Sequence, residues 1–581
     1  MPSCKPISRT DLKALALSQP SNKPLSLALE ASGPDPLKDK LISVAWSDGS
    51  AEPSWFQLTG EDDREALASF LSQRPLILYD STRCSTFLRQ AGIAPNVLSD
   101  PKLMRFALNP SSPLTLKALL LRYVEFPELD SIPDTLDVGV VVVPEGLLSD
   151  NRELLGLMAE ATRLLHDKLH DSLHWANPVY QQELGIAPIC TEMIIFGIKI
   201  LFGALQEKIS GLEAAIEELE AKLTSMTTLI GVANSDFSIN WSSPGDIRNL
   251  LLSLGVELKN HTAGGKLSVS KDILAGFSES HPIIPVLLEY RHMVKLHGIC
   301  RTLKRFYNPS TEAIHCQWLQ TGVPTGRFRS KGPNLQQIPD FIRSVFVARP
   351  GYYFLSIDYD QLEYRILAAC AGETALVEAL KRGEDIHRKT AALMLGLPVF
   401  NVSPEQRAMG KQLGYSQLYG SGPSGLAHKL NIPTSRANAL LDQYFAAVPR
   451  LVAFLDTLQQ RALTNGYVES YYGRRRPLPE ISSPNGKLRA FGMRSAVNGF
   501  AQSTAADVAK QSMIRLAPVL RSYGAKMLVQ LHDGLLIEVP DSVPPEVIVP
   551  KIKAAAETEI EGLPLTVTAS IGPTWHDLKK S

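Results

Sequence analysis

Apolar positions along the chain follow two periods. Up to about residue 165, short apolar runs ("LSLALE", "LISVAW", "PLILYD", "GVVVVP") alternate with stretches such as "DREALASFLSQR" and "LKALLLRYV". The runs read as strands, and apolar residues three and four apart read as one face of a helix. Their alternation predicts an α/β domain. Residues 170–310 read as mostly helical. "LQEKISGLEAAIEELEAKLTSM" combines an apolar stripe with charge pairs four apart, as a long exposed or crossing helix does. The most apolar stretch, "ICTEMIIFGIKILFGAL", contains Glu192 and Lys199. It is too short and too polar to span a bilayer, and predicts a buried helix.

From about residue 311 the texture changes. Gly, Pro and Arg gather in "TGVPTGRFRSKGPNLQQIP", and "YFLSIDYDQLEYRILAACAG" reads as a strand followed by a helix. Residues 386–465 read as helical, and a long helical stretch begins at "KLRAFGMRSAVNGFAQSTAADVAK". Near the C-terminus, "KMLVQLHDGLLIEVP" places two apolar runs around His532-Asp533-Gly534. Asp-Gly between strand-like runs is a hairpin signal.

Composition narrows the classes. A chain of 581 residues suggests several domains, and 44% hydrophobic with 20% charged residues is a globular composition. The 59 basic and 59 acidic residues cancel, so any nucleic-acid surface must be local. Six scattered cysteines form no CxxC pair, which argues against zinc and for reduced thiols in a cytosol-like compartment. "MPSCKPISRTDLKAL" has no apolar core and is no secretory signal.

Two carboxylates stand out. Asp358 and Asp533 each close an apolar run, where a charge is costly unless paired. If their strands share a sheet, the two could meet. Oxygen ligands supplied by few protein groups suit Mg²⁺, and two ions roughly 3.5–4 Å apart clamp an in-line phosphoryl transfer. A strand-end cap is the alternative for each aspartate. In "RAMGKQLGYSQLYGSG", Arg407, Lys411, Tyr415 and Tyr419 recur every four residues on one slowly drifting helical face. Two cations and two aromatic rings there fit a triphosphate beside a base. The alternative is a solvated cationic face with two core tyrosines. His387 in "EDIHRKTAA" is a further candidate phosphate donor.

"SIDYDQLEYR", "RAMGKQLGYSQLYG" and "VQLHDGLLIEVP" resemble, in order, motifs A, B and C of family A DNA polymerases. "TGRFRSKGPNLQQIP", "DIHRKTAA", "GYVESYYGRRRPLPEI" and "MRSAVNGFAQSTAADVAK" resemble further pieces of that family. The resemblance runs from about residue 280 to the C-terminus, and less sharply through 185–280. It implies an α/β multidomain chain: an RNase H-like exonuclease-type domain (1–168), a mainly helical thumb (169–310), palm (311–384), fingers (385–470) and second palm segment (471–581).

By position, the resemblance implies that Asp358, Asp533 and the Tyr359 carbonyl hold two Mg²⁺ ions, with Mn²⁺ able to substitute. Lys411 would act on the triphosphate and protonate the leaving pyrophosphate. Arg407 and His387 would hold the β- and γ-phosphates, and Gln361, Tyr415 and Tyr419 would line the nucleotide pocket. Glu363 would exclude a ribose 2′-hydroxyl. Arg327, Arg494, Asn498, Gln502 and His532 would contact primer–template DNA. The implied partners are DNA and deoxynucleoside triphosphates, for a monomer in the cytoplasm without a membrane association. A nucleic-acid-binding relative that has lost catalysis is the competing reading.

Three departures matter. Where the proofreading site of the family has four carboxylates, this chain aligns Ala28, Glu30, Cys84 and Ala161, so no proofreading is expected. From its length no 5′-nuclease region is expected, and the resulting compact form resembles phage replicative enzymes. Motif C reads His-Asp-Gly where the family reads His-Asp-Glu, with the expectation that Gly534→Glu raises activity or relaxes the Mg²⁺ requirement.

Overall fold

The computed structural model describes residues 4–17, 22–50, 52–72, 74–134, 139–142, 151–229, 239–258, 260–262, 264–418 and 422–580. Near the N-terminus lies a mixed seven-stranded sheet. Leu25–Ala31 runs antiparallel to Leu41–Ser47 and parallel to both Pro75–Leu78 and Val140–Val142. It is buried along its whole length, as a strand covered on both faces must be, which explains its mainly apolar sequence, broken only by buried Ser26 and Glu30. The helix Arg152–His170 packs an apolar face on this sheet.

A second sheet lies toward the C-terminus. Its strand order is Lys526–Leu531, Gly534–Pro540, Tyr352–Tyr359, Val567–Gly572 and Lys579–Lys580. The central strand, Tyr352–Tyr359, is antiparallel to both neighbours. One apolar core reaches from Ile186 to Trp575 and includes strand residues Phe354, Leu355, Ile357, Leu535, Leu536 and Ile537. Helices fill the rest. Phe202–Leu229 lies along Ile283–Phe306, and Gly486–Ser522 runs 37 residues past the second sheet.

Two local details differ from the sequence reading, each at a glycine. The apolar stretch at 189–205 is not one buried helix. The helix Asn177–Phe196 stops at Gly197, a short strand Ile198–Lys199 follows, and a new helix begins at Phe202. Gly197 has φ +56°, and a Cβ there would lie 2.6 Å from the His315 ring and 2.7 Å from the Ile314 carbonyl oxygen. The hairpin turn is not a three-residue Asp-Gly break either. His532 and Asp533 form a two-residue turn, His532 takes the positive φ of 54°, and Gly534 is already the first residue of the next strand.

The parts are joined by a buried charge cluster. Glu183, on the helix Asn177–Phe196, accepts from Arg474 Nη2 at 2.6 Å and Lys510 Nζ at 2.6 Å, and Gln320 Nε2 reaches its other oxygen at 2.8 Å. Asp507 accepts from Arg474 Nε at 2.8 Å and from Ser470 Oγ at 2.8 Å. Burial alone would raise the Glu183 pKa; Lys510 and Arg474 outweigh it and hold the carboxyl below its ordinary value. Removing one member leaves buried charge uncompensated. Glu183→Ala should therefore cost about 3–5 kcal/mol, read as a lowered denaturation midpoint against the wild type.

Candidate active site

The strand pairing predicted for the two aspartates is present. Asp358 sits directly opposite Gly534, the residue after Asp533, across the antiparallel pair. The Tyr359 N–H donates to the Asp533 carbonyl at 3.1 Å, which ties the turn to the central strand. Each apolar strand thus delivers its terminal carboxylate to one edge of the sheet. Asp358 keeps solvent exposure, but its carboxyl sits low enough against the protein that partial loss of water, with the negative charges of Asp533 and Asp360, pushes it up to about 6. Burial raises Asp533 as well, opposed by Arg327 and His532.

These residues fit a divalent cation. Two mutually repelling carboxylates at one sheet edge are hard oxygen donors of the kind Mg²⁺ takes. Among the described residues no three His, Cys, Asp or Glu side chains converge into a closed cage. A cation on this pair would complete its shell from water and substrate oxygens.

Glu363 and Arg327 also reach this centre. Glu363 lies in the first turn of the helix Leu362–Ala371, is buried, and pairs with Arg327. Burial raises the Glu363 pKa while Arg327 opposes it. Arg327 therefore stands among Glu363, Asp533 and His532. Burial and the Arg327 charge hold His532 below its ordinary value. Gln361 caps the Glu363 helix with a left-handed φ of 54° and is exposed.

His387, Arg407 and Lys411 converge from two helices. His387 opens Ile386–Leu395, whose cap Asp385 accepts from the His387 N–H at 3.0 Å and pairs with Arg407. Burial lowers the His387 pKa, Asp385 opposes this, and Arg407 and Lys411 lower it further. Sequence reasoning missed what makes this possible. At Gly410, on the second helix (Pro404–Leu418), a Cβ would lie 2.7 Å from the Ala391 N and 2.8 Å from the Ala391 Cβ. Only a glycine lets the two helices approach that closely. A mid-helix glycine between Met409 and Lys411, at a conformational cost, was the available signal. Tyr415 follows on the same helix, but its side chain lies outside the described residues, as does Tyr419.

Arg494, Asn498 and Gln502 recur every four residues on the Gly486–Ser522 helix. They stay at least partly open while Ser495, Ala496, Val497, Phe500 and Ala501 are buried, so they form one accessible face. Asp360 was also passed over. Its carboxylate accepts from Thr566 Oγ1 at 3.0 Å and Thr568 Oγ1 at 2.8 Å.

In the N-terminal sheet, Ala28 and Ala161 lie in one apolar cluster and Cys84 in another. Burial raises the Cys84 thiol far above its ordinary range. Glu30 accepts from Asn151 Nδ2 at 2.9 Å and also pairs with Ser43.

Comparison with known proteins follows this geometry. DNA polymerase family A matches residues 205–577. The DNA polymerase I of Deinococcus radiodurans is 31% identical over 525 residues, covering 88% of this chain and 51% of that protein. The thermostable DNA polymerase I of Thermus filiformis is 30% identical over 532 residues, covering 89% of this chain and 59% of that protein. The solved POL domain of Pol1 from M. smegmatis, in complex with DNA primer-template and dNTP, matches with a TM-score of 0.86 at 26% identity, covering 99% of each chain. The chain belongs to DNA polymerase family A, and its α/β multidomain architecture is that of the polymerase domain of such proteins. It spans about half the length of the curated relatives it matches. Among the described residues no helix is long and apolar enough to cross a membrane.

The raised Asp358 pKa sets a pH dependence. Its folded value of about 6 exceeds the ordinary 3.8, so this group favours the fold below pH 3.8 and loses that contribution as pH rises through 6. Asp358→Asn should raise the melting temperature of the cation-free protein at pH 7.5. At pH 4 thermal unfolding of mutant and wild type should nearly coincide.

Proposed function

We propose that the chain is a template-directed DNA polymerase, adding deoxynucleotides to a primer 3′ end. One observation carries this: Asp358 and Asp533 are brought together at the same end of neighbouring strands of one sheet. The converging His387, Arg407 and Lys411 supply the cationic counterpart that a triphosphate needs. Membership of the family and the likeness to a polymerase domain solved with primer-template and dNTP support it.

Held by Asp358, Asp533 and the Tyr359 carbonyl, two Mg²⁺ ions (or Mn²⁺) would supply Lewis-acid activation of the primer 3′-oxygen and neutralise phosphate charge. The protein's own groups do the rest. His387 and Arg407 bind the β- and γ-phosphates, and their fixed positions cost no reorganisation during reaction. Lys411 donates a proton to the pyrophosphate as it leaves. Glu363 walls off the ribose 2′ position, while Gln361, Tyr415 and Tyr419 complete the nucleotide pocket. Arg327 exchanges Glu363 for the minor groove when DNA arrives, His532 supports the primer end, and Arg494, Asn498 and Gln502 follow the duplex. We assign 1–168 as a degenerate exonuclease-like domain, 169–310 as thumb, 311–384 and 471–581 as palm, and 385–470 as fingers. The described cysteines are unpaired thiols, which suits a monomeric enzyme of the cytoplasm.

Proofreading is absent on this reading. Two of the four expected carboxylate positions are buried alanines and a third is a buried thiol, which supports the loss of a two-metal exonuclease site.

Primer extension tests the proposal. Asp533→Ala should abolish it, and Lys411→Ala should lower kcat by roughly 10²–10⁴-fold. Extension that survives Asp533→Ala would remove the assigned catalytic centre, and a wild type that binds DNA without extending it would favour the non-catalytic relative. Two further assays address substrate handling. A mismatched primer held with Mg²⁺ and no nucleotide should keep its length. Dideoxynucleotides should be incorporated readily through the Tyr415 hydroxyl, with Tyr415→Phe restoring the preference for deoxynucleotides.

A further inference from the structure

Gly534 lies directly opposite Asp358, so a side chain at 534 would share the face that carries Asp358. A Cβ at 534 would lie 2.7 Å from Asp358 Oδ1 and 2.7 Å from the Ile357 carbonyl oxygen. The first neighbour is a side chain that can swing away. The second is backbone in a strand paired on both edges, and it cannot.

The opposite edge closes the alternative. Thr568 faces Asp358 there, and the Asp360 N–H continues the ladder by donating to the Thr566 carbonyl at 3.0 Å. Asp360 is two residues beyond Asp358 and so shares its face. Its carboxylate is pinned by the Thr566 and Thr568 hydroxyls. A fixed negative charge therefore stands on the Val567–Gly572 side of Asp358, and the room above Gly534 stands on the other.

We infer that Gly534 is a positioning residue of the catalytic centre: the space its missing side chain leaves is the seat of the Asp358 carboxylate. Asp358 is thereby turned toward the hairpin whose turn carries Asp533. The inference rests on the polymerase reading for its functional meaning, but the placement of Asp358 stands on the sheet geometry. It reverses the expectation drawn from the sequence. A glutamate at 534 does not restore a lost ligand; it displaces an existing one.

The test measures Mn²⁺ binding by electron paramagnetic resonance on the full DNA-free chain, with melting temperature as a check on folding. Mg²⁺-dependent primer extension is followed in parallel. Gly534→Ala should weaken Mn²⁺ binding about 10–100-fold. It should raise the half-saturating Mg²⁺ concentration for extension by a similar factor and leave the nucleotide KM unchanged. Gly534→Glu should be at least as impaired. A Thr566→Val, Thr568→Val double variant leaves the contact at 534 intact and unpins Asp360; it should weaken Mn²⁺ binding in the same direction by a smaller factor. Either 534 variant binding Mn²⁺ and extending primers like the wild type would overturn the inference. If neither 534 variant folds, the valine variant decides, and its unchanged Mn²⁺ affinity would overturn it. A wild type that binds Mn²⁺ but extends nothing would count against the polymerase reading, while the Mn²⁺ comparison would still judge the placement of Asp358.

Discussion

Glu183 is a buried carboxylate on which the alignment of the molecule depends. Taking a charge out of water is costly, and here the cost is offset only because two cations remote from it in sequence converge on the same oxygen, Oε1. Lys510 comes from the long C-terminal helix and Arg474 from the hairpin before it. Asp507 completes the charge balance from the next turn of that helix. The rotation of the helix about its axis is thus fixed where it enters the core. The same rotation decides which way Arg494, Asn498 and Gln502 face a few turns earlier.

A second constraint acts at the sheet edge. There the charges are alike, and the fold forces Asp358 and Asp533 together without an internal counterion of matching strength. Arg327 opposes the rise at Asp533, but it is already engaged by Glu363. The two charge clusters are therefore opposite in kind. The one around Glu183 is satisfied and holds the structure, whereas the one at Asp358 is left without balancing positive charge, as the cation site proposed above requires.

The sequence made much of this legible, and the reasons are local. The strands at 25–31 and 352–359 announce themselves by mainly apolar runs, and Asp358 and Asp533 stand out because each ends such a run. The pattern Arg407, Lys411, Tyr415, Tyr419 is readable because a helix repeats on itself. What stayed hidden depends on partners remote in sequence. Nothing near Glu183 signals that Arg474 and Lys510 will meet it. Gly197 and Gly534 look like an ordinary helix residue and an ordinary turn residue until His315, Ile357 and Asp358 are placed against them. Asp360 reads as a polar residue after a strand, and only the pairing with Val567–Gly572 gives it two threonine partners.

The contact at Gly410 has a mechanical consequence. With no side chain between them, the helices bearing His387 and Arg407–Lys411 are pressed backbone to backbone, and Asp385 bridges their polar rims. Close-packed pairs of this kind move as single bodies, since sliding them would open voids. The spacing between the imidazole, the guanidinium and the ammonium is then set before any anion arrives, and the ordering entropy is already spent in folding. A tilt of the pair would carry an undistorted three-pronged grip across the gap. On the function proposed above, the selectivity of that grip for a chain of phosphates would reside in its rigidity, and a single methyl group at position 410 would loosen it.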